Sequence, residues 1–547
     1  MNSGIQASGQ AAREVDAVVV GAGFSGMYML HLLRQRGMSA VVFEAGDNVG
    51  GTWYWNRYPG ARCDVESINY QYGFSDELQR NWNWTERYPT QPEIMKYMDY
   101  VADTLDLRRD IRFETRVTSA VYDEDSRRWT VSTNRGDVVS AQFCIMATGC
   151  LSAAQVPDIE GLKDFAGEWY HTGEWPHQGV DFTGKRVAVI GTGSSGVQAI
   201  PLIAEQASDL TVFQRTANFS LPAFNRPLQA GEHEAAKDSF LEERRKAEYT
   251  PAGANYPYNN QSALDVSRDE AFAELEKRWY EGGFAFLGAF NDIAVNLDSN
   301  ALVSEFVRSK IAGVVNDPET AALLTPKDHP FGTKRLCLDT NYFETFNRPS
   351  VHLVNVRANP IERITPKGLV AGGKEYEFDA IVFATGFDAM TGALTRIDIR
   401  GEGGASLKDK WSAGPRCYLG LVSAGFPNMF TVTGPGSPSV LSVVIVAIEQ
   451  HVEWIMECID HMRAAGIETI DAEPDAENAW VQHVNDVANA TLMPQANSWY
   501  MGANVPGKPR IFMPYVGGLD NYRRKCDAVA ADGYEGFAFE RERELAE

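Results

Sequence analysis

Two glycine-rich turns of identical spacing, GAGFSG at 21–26 and GTGSSG at 191–196, are the first places in this 547-residue chain where residue type and position imply a chemistry. In each, the first glycine (Gly21, Gly191) permits a tight turn and the second (Gly23, Gly193) lets the backbone approach a pyrophosphate. The third (Gly26, Gly196) lets helix and strand pack closely. The helix that follows directs its amide donors at the phosphates. The ribose ends of the two units differ. Glu44 closes the strand after the first turn, where a carboxylate accepts from both ribose hydroxyls and repels a 2′-phosphate. After the second turn that place is taken by Gln214, Arg215 and Thr216, which can hold a 2′-phosphate through charge-assisted hydrogen bonds. The pair predicts FAD in the first unit and NADPH in the second.

A hydride donor beside a flavin permits disulfide reduction, dehydrogenation or oxygen activation. The seven cysteines are scattered with no Cys-x-x-Cys pair, which removes the first option and argues against a metal site. Oxygen activation requires a site closed to water with a fixed cation beside the flavin. Lys334 and Arg335 stand side by side in HPFGTKRLCLDT, and the flanking Phe331, Leu336 and Leu338 argue for a partly buried position rather than a solvated basic doublet. Asp64 ends the aromatic, turn-rich stretch GGTWYWNRYPGARCD and is the candidate charge partner; a helix cap is the alternative reading.

The elements that must position these residues follow from pattern. Residues 16–44 read as strand, turn, helix, strand, 92–105 as a helix, and 111–139 as a small antiparallel meander. KRVAVIGTGSSGVQ to LTVFQR repeats the first unit. Two near-identical runs, FCIMATG at 143–149 and IVFATGF at 381–387, are read as returning the chain twice to one dinucleotide region. A Gly-Pro-rich turn at 434–438 feeds a long apolar helix, similar to the part of two-dinucleotide oxidoreductases that covers the reactive end of the flavin. PQANSWYMGANVPGKPR at 494–510 has the length of a lid, with Trp499 as its anchor. The expected fold is α/β, with two Rossmann-like dinucleotide-binding domains and a helical insertion in the NADP domain. The FAD-binding domain takes 1–150 and 381–547, the NADP-binding domain 151–223 and 333–380, and the helical subdomain 224–332.

The totals bound the function. A net charge of −23 repels nucleic acid and anionic lipid. The longest apolar run, 440–448 with one Ser inside, is about half of a bilayer span. The polar start, MNSGIQASGQAAREVD, reads as a disordered lead-in without signal-peptide character. An odd number of unpaired cysteines suits a reducing cytoplasm.

Between the two units runs FAGEWYHTGEWP, which sets Phe165, Gly167, His171, Trp175 and Pro176 in the order F-x-G-x-x-x-H-x-x-x-W-P. Its aromatic residues are costly to leave in water, so it is expected to pack against something while linking the two cofactor sites. Flanked by the two glycine turns, it resembles the fingerprint of the type I Baeyer-Villiger monooxygenases, closest to their phenylacetone and steroid branch; flavin N-oxygenases share the plan but usually lack the Trp-Pro ending. The likeness runs from Asp16 to about Phe539 and includes WYWNRYPGARCD, FGTKR, ATGFDAMTGAL and SWYMGANVPGKPR. It implies an FAD- and NADPH-dependent enzyme that inserts one atom of O2 next to a ketone carbonyl through a C4a-peroxyflavin, giving an ester or lactone, with sulfides as further substrates and no protein partner. By the same resemblance Arg335 stabilises the anionic oxygen species, with Asp64 as its carboxylate partner. Glu44, Thr52, Trp53, Tyr54, Trp55, Asp64 and Tyr70 match flavin contacts, as do Gly21, Gly23, Ser25 and Gly26 of the first turn. Gly191, Gly193, Ser194, Ser195, Gly196, Val197 and Gln198 match the NADP pyrophosphate turn, Arg215, Thr216 and Lys334 the 2′-phosphate contacts, and Trp499 the lid. His171 is read as a positioning residue rather than a proton-transfer group, and Val440, Leu441 and Ser442 as the segment beside the substrate. An N- or S-oxygenase and a flavoprotein that only oxidises NADPH are the rival readings.

Overall fold

The computed structural model describes residues 13–229 and 231–541; the polar lead-in lies largely outside them. The first sheet is built around Arg13–Val20, a run of valines that buries both faces in the parallel manner. It pairs with Ala40–Phe43 on one side and Val138–Met146 on the other. The meander Val117–Asp123, Arg128–Thr133, Val138–Met146 extends the sheet, and the late strands Asp398–Arg400 and Met429–Thr431 join it. The long helix Val444–Ala465 packs on the Phe24–Gln35 helix of the glycine turn, with Met456, Ile459 and Met462 buried beside Met29, Leu30 and Leu33 in one core.

The second sheet is all parallel, in the order Val351–Asn355, Asp209–Gln214, Arg186–Ile190, Ala380–Phe383, Glu168–His171. This corrects two expectations. The two ATG runs do not return to one region: Val138–Met146 lies in the first sheet and Ala380–Phe383 in the second. They are equivalent, each being the strand beside the glycine-turn strand of its own unit. The boundary set at 381 therefore cuts a strand of the second sheet, and the chain leaves that unit only after Phe383. The connector FAGEWYHTGEWP also proves to be structural. Its residues Glu168–His171 form the edge strand of the second sheet, in register with Ala380–Phe383. Phe165 and Trp175 are buried in that unit.

The helical insertion divides between the units. Arg268–Glu281 and Leu297–Val314 share the core of the second through Leu275, Val303 and Phe306. Glu232–Ala247 instead docks on the first, where Arg244 forms a buried ion pair with Glu449 at 2.6 Å. Among the described residues no helix is long and apolar enough to cross a membrane.

Candidate active site

Each glycine turn shows why its glycines are required. Gly21 and Gly191 have φ of 104° and 112°. A Cβ on Gly26 would meet the Gly21 carbonyl oxygen at 1.8 Å, and one on Gly196 the Gly191 oxygen at 2.3 Å, so strand, turn and helix close only without side chains. Around Gly193 nothing lies within 4 Å of an added Cβ, leaving open space at the N-terminus of the Ser194–Gln206 helix where a pyrophosphate fits. Gly23 faces Gly51 closely, so the first turn is roofed by the Gly50–Gly51 pair rather than by side chains.

Glu44 is buried, with one carboxylate oxygen accepting from the Ala22 amide and the other from the Gly46 amide, both at 2.7 Å. Burial pushes its carboxyl up, and the amide bonds partly offset this. Ser25 is buried in the turn. Thr52–Trp55 is a single helical turn after Gly51. The Trp53 indole donates to the Tyr70 hydroxyl at 2.9 Å, its ring edge-on to Tyr70 at 5.8 Å, while Tyr54 donates to Asp47 at 2.7 Å and packs edge-on against His177. Trp55 stands edge-on to Tyr54. An aromatic shelf thus lies beside the glycine turn, a surface suited to a flat ring system.

In the second unit Val197 is buried in the core, and the Gln198 side chain turns away from the helix N-terminus. It is bonded to Tyr58 and Arg62, in the loop that follows the first unit's aromatic shelf. Ser194 lies 3.5 Å from the Cys337 sulfur. Gln214 is buried and donates to the Leu323 carbonyl, leaving Arg215 exposed at the strand end. The Thr216 hydroxyl accepts from Arg357 at 2.8 Å. Lys334 is held below the usual ammonium range by burial and by the nearby charges of Arg215 and Arg357, against the opposing pull of Asp328. Three cations therefore converge where a 2′-phosphate would sit, with Asp328 pairing Arg357 at 2.6 Å.

Arg335 and Asp64 meet between the units. Nη2 and Nε of Arg335 donate to one Asp64 oxygen at 2.6 and 3.2 Å, and Nη1 donates to the Val440 carbonyl at 2.8 Å. Asn218 fixes the Arg335 backbone carbonyl at 3.0 Å. The guanidinium lies over the Phe284 ring at 5.2 Å. Burial opposes its charge, and the Asp64 carboxylate outweighs that, holding it above even its ordinary value. The Val440 contact joins this pair to an apolar cluster of Val440, Met390 and Tyr500, with Leu441, Trp499 and Cys150 partly buried against it. Ser442, half-buried, donates to the Ser439 carbonyl.

His171 is buried and tied to both halves of its surroundings: Nδ1 accepts from the Gly173 amide at 3.0 Å, and Nε2 lies 3.2 Å from the Thr385 hydroxyl. Burial lowers its pKa to about 4, so the ring is neutral at pH 7 with the proton on Nε2. Gly167 is required by contact, since a Cβ there would meet the Asp379 carbonyl oxygen at 2.5 Å. Pro176 follows Trp175 at the end of this segment, next to His177. Sequence reasoning missed Phe284, Tyr500 and Arg357. Arg357 lies on the far side of an insertion from Arg215, and no spacing rule joins them.

The family described as pyridine nucleotide-disulphide oxidoreductase matches residues 18–227. Acetone monooxygenase (methyl acetate-forming) of Gordonia sp. (strain TY-5) is 45% identical over 527 residues, covering 96% of this chain and 99% of that protein. A Baeyer-Villiger monooxygenase of Pseudooceanicola batsensis is 41% identical over 525 residues, covering 95% of each. A solved structure described as oxidized steroid monooxygenase bound to NADP superposes with a TM-score of 0.92 at 51% identity, covering 97% of this chain and all of that one.

Proposed function

The chain belongs to the Baeyer-Villiger monooxygenase family, and from that premise we propose that it converts a ketone to an ester or lactone using FAD, NADPH and O2. The overall balance is ketone, O2, NADPH and a proton giving ester, NADP+ and water. The observation that carries the reading is the Arg335–Asp64 pair opening on the apolar cluster of Val440, Leu441 and Tyr500.

FAD fits the first unit, where Glu44, the Gly21–Gly26 turn and the Trp53–Tyr70 shelf would hold it. NADPH fits the second, with the 2′-phosphate among Arg215, Thr216, Lys334 and Arg357. When bound and reduced, the flavin supplies the electrons that activate oxygen. The protein's own part is electrostatic. Arg335 presents a permanent cation to the oxygen that carries negative charge when the carbonyl is attacked. Asp64 holds the guanidinium in place beside the apolar cluster, so its position costs no reorganisation during the reaction. The apolar wall excludes the water that would hydrolyse or protonate reactive species. His171, neutral and bonded on both nitrogens, holds the segment between the units and transfers no proton. Seven free cysteines support a cytoplasmic enzyme.

The test is a panel of linear, cyclic, aryl and steroid ketones with a thioether and a tertiary amine, scored by product mass and by NADPH consumed. Ester or lactone from at least one ketone supports the reading. NADPH loss with no oxygenated ketone product, or oxygenation of the amine or thioether alone, overturns it.

A further inference from the structure

Two side chains of the Trp499 segment bind one short stretch of backbone. Asn504 donates to the Phe387 carbonyl at 2.7 Å, and the Lys508 ammonium donates to the Asp388 carboxylate at 2.6 Å and to the Ala389 carbonyl at 2.8 Å. The ion pair is largely shielded, with Lys508 12% and Asp388 22% exposed.

The stretch they grip is the second of the two chain crossings between the units. It is stitched to the first crossing, since the Gln155 amide donates to Gly386 at 3.0 Å, the Asp388 amide to Ala153 at 2.8 Å, and the Thr385 hydroxyl to Gln155 at 2.7 Å. His171 reaches the same stretch through Thr385 and stands edge-on to the Phe387 ring at 6.3 Å. At its other end the Met390 amide donates to the Cys150 carbonyl at 2.9 Å, and Met390 packs into the cluster that contains Trp499 and Tyr500. Residues 385–390 are thus at once the crossing between the units, part of the apolar cluster and the attachment of the Trp499 segment.

We propose that Lys508 and Asp388 are positioning residues: their ion pair latches the Trp499–Tyr500 turn to the crossing between the units, so that the cover of the site is held in place by that crossing. This rests on the reading that residues 494–510 close over bound NADP. Loss of either partner leaves a shielded charge without its counter-ion and frees the segment from the crossing. Tyr500 then no longer packs reproducibly beside Arg335, and water gains entry.

The test uses the full-length, FAD-loaded protein as Asp388→Asn, Lys508→Met and the charge-reversed double variant Asp388→Lys/Lys508→Asp. Hydrogen exchange of 494–510 with and without NADP+, the NADP+ dissociation constant, and ester formed per NADPH are read together, with thermal melting as the control for folding. Each single variant should lose NADP+ protection of 494–510 and weaken NADP+ by about tenfold, with lower ester per NADPH and flavin reduction by NADPH within about twofold of the parent. The double variant should recover at least part of the protection. Equal protection by NADP+ in parent and single variants overturns the latch and leaves the lid reading standing. No protection in the parent overturns both. A double variant no better than the singles, with melting unchanged, also overturns the latch.

Discussion

Gln198 and Arg62 exchange hydrogen bonds across the boundary between the two dinucleotide units. The Gln198 amide donates to the Arg62 carbonyl at 3.1 Å, and its oxygen accepts from the Arg62 amide at 3.4 Å and from the Tyr58 hydroxyl at 2.8 Å. A Cβ on Gly60 would lie 2.4 Å from the Gln198 backbone carbonyl, so the 58–62 loop rests flush on the Ser194–Gln206 helix. Asp64 is two residues further on. Gln198→Ala removes all three bonds and should cost roughly 1–3 kcal/mol in stability. It should also lower ester yield per NADPH while leaving flavin reduction intact. Thermal melting and the product-to-NADPH ratio check both parts, and two unchanged values would mean that the loop is held by packing alone.

Arg335 makes three donor bonds to two acceptors, two to one Asp64 oxygen and one to the Val440 carbonyl, a planar fork that a lysine ammonium on a flexible stem cannot reproduce. Arg335→Ala should still let NADPH bleach the flavin in stopped-flow, with ester formation down by about 100-fold or more. Arg335→Lys should retain a small fraction of the activity. Normal ester yield from the alanine variant would remove Arg335 from the reaction.

Arg357 bonds Thr216 and Asp328 and neighbours Lys334. Arg357→Ala should raise the Michaelis constant for NADPH by about tenfold and leave that for NADH nearly unchanged, because only the phosphate contact is lost. Equal rises for both cofactors would show that Arg357 acts on local structure instead.

Two buried histidines give the enzyme an acid limit. Burial lowers His171 to about 4 and His451 to about 3, the latter accepting from the Thr433 amide at 3.0 Å. Below pH 6.5 the unfolded chain takes up protons that these rings refuse in the fold. The stability they contribute is therefore complete above about 6.5 and is lost as pH falls towards 4 and 3, up to ~3 kcal/mol for His171 alone. His451→Gln should flatten the fall of melting temperature between pH 6.5 and 4. An unchanged slope would place the acid sensitivity in other groups.

The glycine turns and the Glu44 and Arg215 strand ends were legible because each lies within one local strand–turn–helix pattern, and the Lys334–Arg335 doublet because apolar residues flank it. What could not be read was partnership across long separations. The pairing of Asp64 with Arg335 was expected, over a helix cap, only through the family resemblance and is formed, whereas that of Arg357 with Thr216 went unread; both depend on how loops from distant segments fold over the sheets. The two ATG strands misled for a related reason: identical local pattern marks equivalent places in two sheets as readily as one place visited twice. The fingerprint segment was recognised by its residues, but its role as an edge strand depends on Ala380–Phe383, far along the chain, as its neighbour.

That neighbour has a consequence for biogenesis. The Glu168–His171 strand has Ala380–Phe383 as its pairing strand, and Val138–Met146 likewise receives Met429–Thr431 from late in the chain. At translation rates of about 5–20 residues per second, the fingerprint strand emerges on the order of ten seconds or more before its partner is made. Neither sheet is complete until most of the polypeptide has left the ribosome. All strands of the second sheet lie within residues 168–383, whereas the first sheet draws strands from both sides of that stretch, so a single cut between the units leaves the second sheet whole and divides the first.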